Sequence, residues 1–243
     1  MRVHVRLVHR KVALGSDNPG MIAPGRGTCI PDELRRAYAL GLSRDELAEL
    51  MATAFENSDA APAPVRAKFA AEARAWAGTD EPIDTLPKAD LHSHLNGALP
   101  QNWIERQAAL QGLDPPQPFS SQGVQWTSLD DFRLAYDQRA AIIKAASADS
   151  IPDQVVAVAK DCLEARVFVV ELSVTPWAPP GTDKTAAFVK FFEYLSAGRD
   201  QALKDHGVYV SFVVTAIRSI DIRFAEQALD ACIAARRSND RKT

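Results

Sequence analysis

Residues 167–174, Val-Phe-Val-Val-Glu-Leu-Ser-Val, form an almost unbroken apolar run, and this run limits the fold more than any other stretch of the chain. A strand with one wet face alternates apolar and polar side chains. A strand that is apolar at nearly every position has to be covered on both faces, as strands of parallel sheets are. The flanking segments supply the cover. Residues 151–165 carry helical apolar spacing, with Pro152 in the first turn, where its missing N–H costs nothing. Residues 184–205 read as a long helix and residues 208–217 as another buried strand, followed by Arg218. Residues 221–236 read as a last helix, ending in a polar, solvated tail from Arg236 onward. Strands alternating with helices of this length predict an α/β chain with parallel pairing.

Upstream, residues 100–112 and 129–148 have helical spacing, and Pro115-Pro116-Gln117-Pro118 between them is a loop. Ser43 and Glu46 form the capping-box pattern S-x-x-E, and Leu47, Leu50, Met51 and Phe55 then recur at helical intervals. Gly41 stops the helix before it. Residues 77–85, AGTDEPIDT, combine Gly, Pro and acidic residues and read as a linker.

Two short motifs carry chemistry. His92 and His94 stand two apart at the end of an extended run that Asn96-Gly97 terminates. On a strand both imidazoles point to one side, the convergence a first-row divalent metal requires, although two histidines so spaced are also an ordinary polar strand end. Near the start, residues 12–19 read Val-Ala-Leu-Gly-Ser-Asp-Asn-Pro: an apolar strand ending in Asp17, whose surroundings are also turn-prone.

The stretch LPKADLHSHLNGALP, residues 86–100, resembles the first-strand motif of the adenosine deaminase family, L-P-K-x-[ED]-L-H-x-H-[LN]-[DN]-G. Residues 12–19 look like that family's last-strand motif, and PDELRRAYALGLSRDELAELMATAFENS resembles its closing helices. Glu171 and Pro176 fit its second strand. The family is a metal-dependent (β/α)8 barrel that hydrolyses the 6-amino group of purine nucleosides or nucleotides. The resemblance implies that His92, His94 and Asp17 bind a catalytic Zn2+, and that Asn96, Gly97 and Asn18 contact substrate. Asn96 stands where many adenosine deaminases have Asp, as in relatives similar to N6-methyl-AMP deaminases, and an amide tolerates a phosphate better than a carboxylate does. Asn18 replaces an acid that often meets a purine nitrogen.

The family segments stand in permuted order: 1–77 resembles the end of the barrel, 78–85 links, and 86–243 resembles its beginning. First and last strands of a closed barrel are neighbours, so such a joint is short. The expected fold is a partial (β/α)8 TIM-type sector of family strands 8-1-2-3, since a complete barrel needs about 250 residues or more. Its two open edges would take a complementing chain or self-association. The family's third metal His, its proton-shuttling Glu and a later His belong to strands four to seven, and no motif here replaces them. His4 and His9 precede the first strand, and His206 sits at a helix end. The expected function is therefore a purine deaminase portion with little or no turnover on its own. The alternatives are a noncatalytic metal-binding or interaction remnant, or a read-through of adjacent deaminase copies.

Charge excludes other classes. With 28 Lys and Arg against 31 Asp and Glu, and no basic patch, nothing points to nucleic acid. No apolar run is long enough to span a bilayer, and no apolar signal core opens the chain. Cys29, Cys162 and Cys232 have neither metal-like nor paired spacing, which predicts a reduced, cytoplasmic setting.

Overall fold

Ser43 Oγ accepts the Glu46 N–H at 3.2 Å, and the Glu46 carboxylate accepts the Ser43 N–H at 2.8 Å. In the computed structural model, which describes residues 14–19, 28–114, 128–178, 182–215 and 222–240, this capping box starts α2 (Arg44–Asn57). Before it runs α1 (Ile30–Ala39), followed by Gly41 at φ 103°, a conformation only glycine adopts freely. After it runs α3 (Ala63–Ala77). Leu47, Leu50, Met51 and Phe55 of α2 are all buried, as their spacing predicts. Phe55, Phe69 and Phe168 stack in series with centroids 5.3 and 4.6 Å apart, which joins α2 and α3 to the sheet.

The order then continues β1 (Lys88–His94), a short α4 (Leu95–Ala98), α5 (Gln101–Gln111), α6 (Leu129–Ala145), α7 (Ile151–Glu164), β2 (Val167–Val174), α8 (Lys184–His206), β3 (Tyr209–Val214) and α9 (Ile222–Asp240). The three strands are parallel in the order β1-β2-β3. Val167, Val169, Val170 and Leu172 of β2 are fully buried. Residues of both parities are therefore covered, as the apolar run demands. The crossover helices pack where the pattern requires, α7 on β2 and α8 on β3.

On its other side β1 meets Asp17 in a parallel bridge opposite Ser93. Asp17, β1, β2 and β3 are thus successive neighbours in the sheet. Among the described residues this is an open α/β sheet and not a barrel. The first expected strand is reduced to that bridge, and residues 12–13 lie outside the described part. β3 is shorter than residues 208–217, of which 216–217 also lie outside, as do the Pro115–Pro118 loop and Arg218. The last helix runs on to Asp240, into the stretch read as a polar tail, because nothing in Ser-Asn-Asp breaks it. The segment after Ala77 is tied down. Trp76 Nε1 donates to the Pro82 carbonyl at 3.2 Å and Thr85 Oγ1 at 3.1 Å, and Arg44 donates to the Glu81 carbonyl at 2.9 Å. No described helix is long and apolar enough to cross a membrane.

Candidate metal centre

β1 carries its two histidines to the end of the sheet. The His92 and His94 rings stand 5.4 Å apart between centroids and nearly perpendicular, at 88°. Asp17 faces both: its Oδ1 lies 3.4 Å from His92 Nε2 and 3.3 Å from His94 Nε2. One ligand atom from each residue falls within 4.8 Å of the others. Two ligand atoms each ~2.1 Å from a tetrahedral ion lie ~3.4 Å apart, so this spacing fits a single first-row ion. Two imidazoles and a carboxylate are also the donor types such an ion takes. Asp17 and His92 are exposed, which leaves a side open for a further ligand. Burial pushes the His94 imidazole below its ordinary value; Asp17 opposes that shift and His92 reinforces it. A neutral imidazole is the form that ligates.

The chain bends sharply to present Asp17. Its φ is 57°, the left-handed region that Asp tolerates better than most residues. Asp17 N–H donates to the His92 carbonyl and His94 N–H to the Asp17 carbonyl, both at 2.7 Å. Gly15 lies so close to β1 that a Cβ there would sit 2.5 Å from His92 Cβ. Beneath the site, Asp90 is fully buried and accepts from Ser16 N–H (3.0 Å), Thr28 Oγ1 (3.0 Å) and His92 N–H (3.3 Å). Burial pushes the Asp90 carboxyl up, and the bonds from Ser16, Thr28 and His92 hold it back. Ser16 Oγ also accepts the Cys29 N–H at 2.9 Å and lies 2.8 Å from Thr28 Oγ1. Burial pushes the adjoining Cys29 thiol up to about 11.

The other residues read as site candidates lie next to the triad. Asn18 is buried, and its Oδ1 has no hydrogen-bond partner among the described residues. It packs against Gly97, where an added Cβ would meet that oxygen at 2.0 Å. Asn96 follows His94 within α4; its carbonyl accepts from Arg139 Nε at 3.2 Å, and its side chain hydrogen-bonds Tyr136. A small cavity opens beside His94, walled by Asn96, Tyr136, Ser173, Thr175 and Trp177. Glu171 is occupied elsewhere, accepting the Ser58 hydroxyl at 2.7 Å. His206 is the last residue of α8, and His4 and His9 lie outside the described residues.

Three buried charged residues of the described part were given no role by the sequence reading, although Lys88 and Asp90 fall on matched motif positions. Asp90 is one. Lys88 Nζ donates to the carbonyls of Asp84 (2.7 Å), Leu86 (2.7 Å) and Ala165 (3.1 Å), and burial pushes its amine down to about 7. Arg139 donates to the carbonyls of Asn96 and Leu99 and to Gln101 Oε1, which fixes the turn after the histidines. The signal available for Arg139 was a charged residue beside the apolar set Ala140, Ile142 and Ile143.

No protein-family model matches the chain. It is similar to an adenine deaminase of Sinorhizobium medicae (strain WSM419), with 26% identity over 147 residues. Those residues are 59% of this chain and 44% of the relative, so the chain spans less than half the length of the curated relative it matches. The likeness is distant, and it points to a deaminase-like hydrolase.

Proposed function

We propose that Asp17, His92 and His94 hold one Zn2+ and that the chain is the metal-bearing portion of a hydrolase that removes the 6-amino group of a purine. The observation that carries this is the meeting of one carboxylate from the first motif with two imidazoles from the second, at 3.3 and 3.4 Å. The deaminase-like relative adds weak, independent support. A zinc ion so held supplies a water acidic enough to attack as hydroxide near neutral pH. The chain's own part is to fix that geometry: Asp17 through its bridge to β1, the histidines through the strand. Asn96, Gly97 and Asn18 are the residues that would contact a purine nucleoside, nucleotide or base, Asn96 from the wall of the cavity that it shares with Tyr136 and Trp177.

The three-residue group contains no glutamate to carry the proton from water to the leaving amine. Positioned proton transfer contributes typically ~10²–10⁴-fold, so turnover by these residues alone is slow. A noncatalytic metal-binding role draws on the same observation. A complementing chain is the proposed source of the missing acid. The test is zinc uptake and deamination of adenine, adenosine and AMP by the purified chain. The expected result is one zinc per chain, lost in His92→Ala, with trace deamination. Fast deamination by the isolated chain would contradict the missing proton shuttle, and no zinc uptake would remove the metal.

A further inference from the structure

We propose that Asp90 is a positioning residue that staples the Asp17 segment onto β1 and thereby sets metal affinity without touching the ion. This role presupposes the metal proposed above, and the experiment separates the two. Asp90 and His92 share a strand, yet the Asp90 carboxylate is fully buried and aimed at the other segment. One of its oxygens takes the Ser16 N–H, immediately before Asp17; the other takes the Thr28 hydroxyl. The two feet are also joined to each other, since Ser16 Oγ lies 2.8 Å from Thr28 Oγ1 and accepts the Cys29 N–H. A single carboxylate therefore anchors both Ser16 and Thr28.

Such an anchor adds to the two backbone hydrogen bonds that Asp17 makes with His92 and His94. Asp17 meets β1 in one bridge and not a ladder, and its left-handed backbone is strained for a residue with a Cβ. A buried carboxylate with three donors is costly to leave half-satisfied, so the segment closes onto β1 to complete it. Partners of this kind behind a ligand, when removed, typically weaken metal binding ~10–100-fold.

Cys29 reports the clamp directly. It is 4% exposed, its N–H and thiol are both tied to Ser16, and it follows Thr28. Cys162 on α7 is fully buried, and its thiol, like that of Cys29, is raised by the Asp90 charge, so it serves as an internal control both for the fold and for the lost charge; Cys232 is removed as Cys232→Ser. The full chain without metal is treated with iodoacetamide, each cysteine is followed by peptide mass, and zinc affinity is measured by calorimetry. For Asp90→Asn the expected result is Cys29 alkylation at least ~10-fold faster, Cys162 still protected, and zinc bound ~10–100-fold more weakly. Cys29 labelling unchanged from the parent overturns the proposal. Cys29 and Cys162 labelled together also overturns it, because Asp90 would then support the whole fold. Failure of the parent chain to take up zinc removes the metal assignment, while the thiol rates still decide whether Asp90 closes the segment.

Discussion

Asp17 and His92 meet twice, once through backbone and once through side chains. The Asp17 N–H donates to the His92 carbonyl at 2.7 Å, and Asp17 Oδ1 lies 3.4 Å from His92 Nε2. The same pairing that seats the segment beside β1 sets the distance between two prospective ligands. Changes that push the backbones apart should therefore weaken metal binding without touching a ligand.

Gly15 and Gly97 test this from two sides. A Cβ at Gly15 would lie 2.5 Å from His92 Cβ, and one at Gly97 would lie 2.0 Å from Asn18 Oδ1. Gly15→Ala and Gly97→Ala should each cost about 1–3 kcal/mol in denaturant unfolding and reduce zinc affinity. Wild-type stability and affinity in both variants would contradict the close approach.

Arg139 should matter for the turn after the histidines. Arg139→Met strands the Asn96 and Leu99 carbonyls and Gln101 Oε1 in a buried position. The expected loss is about 2–3 kcal/mol by chemical denaturation. A loss below ~0.5 kcal/mol would show that water replaces the guanidinium there.

Much of the architecture was legible because its signals are local. The Ser43–Glu46 box, Pro152 in a first turn, and the apolar run of β2 each act within a few residues. His92 and His94 were legible for the same reason, since a strand's period alone puts them on one side. Asp17 was legible only as a motif, because its partner is far along the chain. Lys88 and Asp90 were likewise legible only as motif positions, and Arg139 not at all, since their hydrogen bonds go largely to backbone groups brought near by folding, as with Ser16 N–H across 74 positions. The last-strand pattern also promised more than the described residues deliver, a bridge at Asp17 in place of a ladder.

Lys88 predicts a pH dependence. Burial lowers its amine to about 7 from 10.5, with Asp84 opposing and Arg166 and Arg35 reinforcing. Between about 7 and 10.5 the unfolded chain then binds more protons than the folded one, so this residue makes stability rise with pH through that window. The unfolding free energy of the wild type minus that of Lys88→Met should climb there, by at most ~1.4 kcal/mol per pH unit. A flat difference would mean that the three carbonyls hold the ammonium at its ordinary value.

The metal content of the zinc-loaded, desalted chain tests the central claim most directly. One ion per chain in the wild type, and none retained in His92→Ala, His94→Ala or Asp17→Ala of intact fold, is the predicted result. A wild-type chain that retains no zinc, or three variants that all retain it, would contradict the account.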